Sequence, residues 1–152
     1  MSPDEVLEKL QRMGVKISRS TLMRYENQWL IPEPKRGGGG PGGRYTDYPA
    51  ETVIEAYAAY ALMHGDYIYD DNSKKLFADG KEPRLSPKVI SISRSVARDM
   101  DENKGQESFN SGLFAYTLEK LMDKPIGVAF IQFGIHAWLE AKKRGQILLG
   151  IV

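Results

Sequence analysis

Residues 35–45 read KRGGGGPGGRY, with six glycines and a proline in eleven positions. Glycine loses more conformational freedom on ordering than any other residue, and proline lacks a backbone donor. Neither a helix nor a strand interior runs through such a stretch, so the elements before and after it must be separate. Basic residues stand at both ends, Lys35 and Arg36 on one side and Arg44 on the other, with Tyr45 next. Such a segment reads either as a flexible linker or as a hairpin with a glycine tip. The flanking cations, and a helix expected to resume directly from Thr46–Pro49, favour the hairpin.

The same glycines match the spacing of a dinucleotide-binding loop, but no hydrophobic strand precedes them and no helix starts on them. A phosphate-binding loop fails as well, because Arg44 and Tyr45 occupy the places of lysine and serine or threonine. Nucleotide binding is not expected.

Ahead of the glycines lie two short helical units. Ser2, Pro3 and Glu5 supply a cap, a proline at the first turn and a capping box. Val6, Leu7, Leu10 and Met13 form an apolar stripe, and Gly14 stops it. After the tight connection GVKI, Ser18 caps a second helix expected to run to about Gln28, with Leu22, Tyr25 and Trp29 on one face. Helix, short turn, helix is the spacing of a helix-turn-helix unit, and from this stretch alone an ordinary helical hairpin fits equally.

Beyond the glycines a third helix carries Val53, Ile54, Tyr57, Tyr60, Ala61 and Met63, read as packing under the first two, and Gly65 ends it. A small hairpin is possible around Asp71-Asn72-Ser73. Ser86-Pro87 opens a fourth helix to about Met100, marked by Val89, Ile90, Ile92 and Val96. Apolar residues return from Phe109 to Met122. After Pro125 a long last helix ends in Lys142-Lys143-Arg144, which suits the negative end of the helix dipole. The closing QILLGIV is expected to dock in a core or a subunit interface. The resulting division is 1–65, a linker or small hairpin over 66–85, and a helical unit over 86–152.

Net charge is only +1, but its distribution is uneven. Between Arg12 and Arg44 stand seven basic residues against Glu26 and Glu33, a net +5 that leaves −4 for the rest. The absence of cysteine excludes disulfides, thiolate metal sites and a cysteine nucleophile. The two histidines, His64 and His136, lie far apart and are read as structural, His136 as a core residue; no metal and no cofactor is expected. No apolar run approaches a membrane span and MSPDEV is unlike a signal peptide, so the expected compartment is the cytoplasm.

On EVLEKL, STLMRYENQWLIPEP and GGRYTDYPAETVIEAY, residues 3–64 resemble the MerR family of winged helix-turn-helix DNA-binding domains. Thr21, Leu22, Tyr25, Glu26, Leu30, Arg44 and Tyr45 match the family pattern. Met23 stands where the family usually has arginine, and Trp29 replaces a glycine, so a different helix exit is expected. The resemblance implies a mainly α protein, a winged helix-turn-helix domain followed by a helical C-terminal domain, acting as a homodimer on an inverted repeat. The family's metal-sensing cysteines are missing, and residues 66–152 lack the sustained heptads of its long dimerisation helix.

Recognition helices present their N-terminal residues to base edges while neighbouring groups hold phosphates. Arg19, Ser20 and Met23 are the expected groove contacts. Arg24, Tyr25 and the helix N-terminus at Ser18 are the expected phosphate contacts, and Lys16 is a further DNA-binding candidate. Lys35, Arg36, Arg44 and Tyr45 would flank or reach a minor groove. The leading expectation is a transcriptional regulator whose helical C-terminal unit dimerises or binds a small effector. An architectural DNA binder of excisionase or segregation type is the alternative. A helical enzyme ranks last, because no catalytic constellation stands out.

Overall fold

The computed structural model describes residues 1–38, 40, 43–66, 84–102 and 125–150. It is mainly α. In chain order the elements are α1 (Pro3–Arg12), α2 (Arg19–Asn27), β1 (Lys35–Gly37), β2 (Tyr45–Asp47), α3 (Thr52–His64), α4 (Pro87–Glu102) and α5 (Pro125–Leu148). The two strands form one antiparallel hairpin in which Lys35 faces Asp47, Arg36 faces Thr46 and Gly37 faces Tyr45.

Local chemistry accounts for the helix starts. The Ser2 hydroxyl accepts from the Glu5 amide at 3.2 Å, and the Ser18 hydroxyl accepts from the Thr21 amide at 3.1 Å. Ser86 caps α4 in the same way through Val89. Each such bond satisfies a donor that the first helical turn leaves without an intrahelical acceptor.

Three helices also end alike. Gly14, Trp29 and Gly65 all have positive φ, at 88°, 61° and 68°. After α1 the Val15 amide reaches back to the Leu10 carbonyl, after α2 Leu30 to Tyr25, and after α3 Asp66 to Ala61, at 2.9, 3.0 and 2.9 Å. This is the six-residue closure of a Schellman motif, and it asks for a left-handed residue at its corner. Glycine fits there without strain. Trp29 fits at a cost of about 1–2 kcal/mol, and the protein holds it by other means. The turn after α2 is thus the one a glycine would make.

The core is built around α3. Residues 52–59, Ala61 and Leu62 are all buried, so this helix is covered on nearly every side. α1 and α5 both pack directly on it, and α5 also packs along α4. One apolar cluster takes in Val6, Leu10, Leu22, Tyr25, Leu30, Tyr57, Leu62, Ile90 and the fully buried Trp138, joining residues before Gly65 to residues after Leu85. Close approach of α4 and α5 depends on Gly134, where a Cβ would run into the Ser93 hydroxyl. The Leu85 amide ties the start of α4 to the Leu62 carbonyl near the end of α3.

Across this apolar core lies a charged pair. Arg94 of α4 and Glu55 of α3 are both nearly inaccessible, and the Arg94 Nε donates to the Glu55 carboxylate. Its Nη1 donates to the Trp29 carbonyl at 3.2 Å. Arg94 therefore grips the strained corner after α2 from a position 65 residues further along the chain.

Several expectations are corrected. Trp29 is not on the buried face of α2 but is 65% exposed, because the left-handed corner turns its side chain outward. Thr46 and Asp47 belong to β2, and α3 starts only at Thr52. α5 runs on to Leu148, past the Lys142-Lys143-Arg144 end expected for the last helix. His136 is exposed, since the core face of α5 is taken by Ile135, Ala137, Trp138 and Ala141. His64 is exposed as well and stacks on Tyr60 at 3.9 Å between ring centroids. The hairpin expected around residues 71–73, the apolar stretch 109–122 and the final Ile151-Val152 lie outside the described residues. No helix among those described is long and apolar enough to cross a membrane.

Removing one member of a buried ion pair leaves the other charge uncompensated, at a cost of about 3–5 kcal/mol. Glu55→Ala and Arg94→Ala should each lower stability by that order in chemical denaturation. The double variant should lose clearly less than the sum; strict additivity would show that the pair does not act as a unit.

Candidate nucleic-acid interface

α2 and the hairpin lie side by side. In the hairpin, side chains alternate between two faces. Arg36 and Thr46 turn toward α2, whereas Lys35 and Tyr45 belong to the outer face. A cleft of about 170 Å³ runs between the two elements, lined by Pro3, Arg19, Leu22, Met23, Arg36, Thr46 and Tyr48. Arg19 and Met23 are four residues apart and share one side of the helix, and Met23 is 53% exposed.

A carboxylate fixes how the hairpin sits. Glu26 of α2 accepts both Arg36 guanidinium nitrogens, at 2.7 and 2.8 Å, and the Tyr48 hydroxyl at 3.1 Å. A two-pronged arginine–carboxylate bond of this kind sets orientation as well as distance. The Arg36 hydrogen bonds, assisted by Tyr48, hold the Glu26 carboxyl below its ordinary pKa, against the opposing pull of partial burial. Burial raises the Tyr48 hydroxyl to about 12, with the Glu26 charge adding to the effect. At the base of the hairpin the Met1 ammonium bonds Asp47 at 2.6 Å and lowers its pKa.

The tip is shaped by glycine and tyrosine. The Tyr45 ring lies over Gly37 on the opposite strand, where any Cβ would collide with it. Gly38, at φ 134°, passes so close to the Arg44 backbone that a side chain has no room. Arg44 is exposed and Tyr45 is 59% exposed, so both project from the hairpin. Residues 39, 41 and 42 are outside the described residues.

The N-terminus of α2 is open to an anion. No acidic residue occupies its first turn, and the free amides and helix dipole there favour negative charge. Arg19 makes only a 3.3 Å exposed contact with Asp4 of α1, and such pairs contribute little. Ser20 is exposed beside Ser18, their hydroxyls 3.1 Å apart. On the other side of α2, Lys16, Ser18, Thr21, Arg24 and Gln28 border a second depression with Tyr60 and His64. Arg24 bonds the Thr21 hydroxyl at 3.2 Å.

The sequence-derived candidates thus divide. Arg19, Met23 and Arg36 share the cleft, and Lys16, Ser18 and Arg24 share the opposite depression. Lys35, Arg44 and Tyr45 line the outer face and tip of the hairpin. Tyr25 is corrected as a surface contact: it is buried in the core, and desolvation raises its hydroxyl to about 12. Glu26 and Tyr48 were missed as the clamp that orients Arg36. The sequence signal for Glu26 is that it is one of two carboxylates in a basic stretch, which does not name its partner.

Comparison with protein-family models, with curated proteins and with solved structures returns no match to this chain.

Because the Glu26 pKa is depressed by folding, its contribution is present above the ordinary value of 4.5 and is lost as pH falls through the lowered one. Acid titration of the native protein should show the hairpin detaching from α2 below pH 4.5. Glu26→Gln should weaken the attachment already at neutral pH and flatten that acid dependence. An unchanged acid profile would remove Glu26 from this role.

Proposed function

We propose that this protein is a sequence-specific DNA-binding transcriptional regulator built on a winged helix-turn-helix unit. α2 enters the major groove, the glycine-rich hairpin lies as a wing near the minor groove, and two copies act together on paired half-sites. One observation carries the reading: a short helix with no acidic residue in its own first turn stands beside a hairpin with an exposed arginine tip. Between them Arg19, Met23 and Arg36 share a single concave face.

Charge and conformation add support. The net +5 falls on residues 12–44, the stretch that contains α2, β1 and Arg44. The corner at Trp29 is left-handed, a conformation that glycine adopts freely, and glycine is the residue that the MerR-type pattern carries there. Arg36 is held by Glu26, which reduces its value as a free cation and makes it a positioning group for the wing. Arg19, Arg24, Lys35 and Arg44 supply the phosphate attraction. For self-association, Leu139, Ile147 and Leu148 on α5 offer exposed apolar surface, and pairing through a two-fold interface would tie half-site spacing to protein geometry.

Cations that neutralise phosphates release counterions, so duplex affinity should fall steeply and linearly in a log–log plot against salt. A flat salt response, or no binding to any mixed-sequence duplex, would overturn the proposal. Arg44→Ala should weaken binding by about 1–2 kcal/mol with an unaltered unfolding midpoint; equal affinity would make the hairpin a connector only. A footprint that spreads cooperatively, without paired half-sites, would favour the architectural reading.

A further inference from the structure

Behind the Trp29 corner is a cavity of about 450 Å³ that the DNA-facing surface does not use. Its floor is one continuous face of α4, formed by Ser91, Arg94, Ser95, Arg98 and Asp99, and its wall is Trp29. The size is within the range of small-molecule sites. Its chemistry is unusual in one respect. Arg94 has its Nε on Glu55 and its Nη1 on the Trp29 carbonyl, yet its buried Nη2 has no hydrogen-bond partner among the described residues. A buried charged donor without an acceptor costs free energy, and such a group calls for an explanation.

We infer that this cavity binds a small oxyanion, a phosphate or carboxylate, that carries a planar ring. The oxyanion accepts from Arg94 and from Arg98, one helical turn further on, with the Ser91 and Ser95 hydroxyls available as further donors. Asp99, at the end of the same face, already has an interaction of its own. The ring stacks on Trp29. An exposed indole at a left-handed corner, where glycine or asparagine would sit with less strain, is accounted for by that contact. The inference concerns the free protein and does not rest on DNA binding.

The test uses phenyl phosphate as probe and inorganic phosphate as the ring-free control, on the full chain without DNA. Calorimetry and indole fluorescence should show saturable one-to-one binding of phenyl phosphate, about tenfold or more tighter than inorganic phosphate. Arg98→Gln, at an exposed site, should weaken phenyl phosphate about tenfold while leaving the unfolding midpoint in place. Trp29→Asn keeps a residue tolerant of the left-handed corner, so the fold should persist while the fluorescence response and the ring preference disappear. Absence of saturation, or affinities unchanged in both variants, would leave the buried Arg94 Nη2 without a ligand and overturn the proposal. Competitive displacement of the probe by duplex DNA would also overturn it, by making a backbone phosphate the occupant.

Discussion

A guanidinium buried where three helices meet holds this structure in register. Arg94 reaches from α4 to the carboxylate of Glu55 on α3 and to the carbonyl of Trp29 at the exit of α2. An ion pair shielded from water is retained only if both partners stay in place, because either one alone is strongly disfavoured. The pair therefore couples helices that are distant in sequence. It also secures the backbone corner that aims the chain from α2 toward the hairpin.

A second charged contact, nearer the surface, sets what that corner delivers. Glu26 is one helical turn before Trp29 and holds Arg36 in a two-pronged bond. One short helix thus has its C-terminal exit fixed from the core and its flank fixed to the hairpin. The rigid placement matters for the proposed role. Side chains that read a groove do so from elements whose positions are settled beforehand, and ordering them on binding would subtract from affinity. The arrangement leaves Arg19, Ser20 and Met23 facing outward while Leu22 and Tyr25 secure the opposite side of the same helix to the core.

The cavity behind Trp29 shares Arg94 with this framework. A group bound there would sit directly against the residue that holds the α2 exit. The physical link between a ligand site and a reading helix would then be a single side chain rather than a long relay.

Much of the N-terminal half, with the start of α4, is legible in the sequence because the determinants are local. Ser2, Ser18 and Ser86 announce helix starts through hydroxyls that serve amides three residues away. Gly14 and Gly65 announce helix ends through a φ that glycine adopts freely, and the glycines of 37–43 leave a hairpin as the compact option. Tyr25 and Trp29 mark where such reading stops. Both stand on one apparent apolar stripe, yet one is buried and the other exposed, because the left-handed corner at Trp29 breaks the helical periodicity. Nothing in the neighbouring residues calls for that corner at a tryptophan. It is stabilised by Arg94, 65 residues away. In the same way Glu26 and Arg36 reveal their pairing only once the hairpin folds back on α2. The sequence by itself determined the serine-capped helix starts, the glycine helix ends and the break at the glycines, since these depend on hydrogen bonds within a turn. Only the tertiary structure decided which side of α2 faces out and where its chain leads, since those depend on charges brought together across the fold.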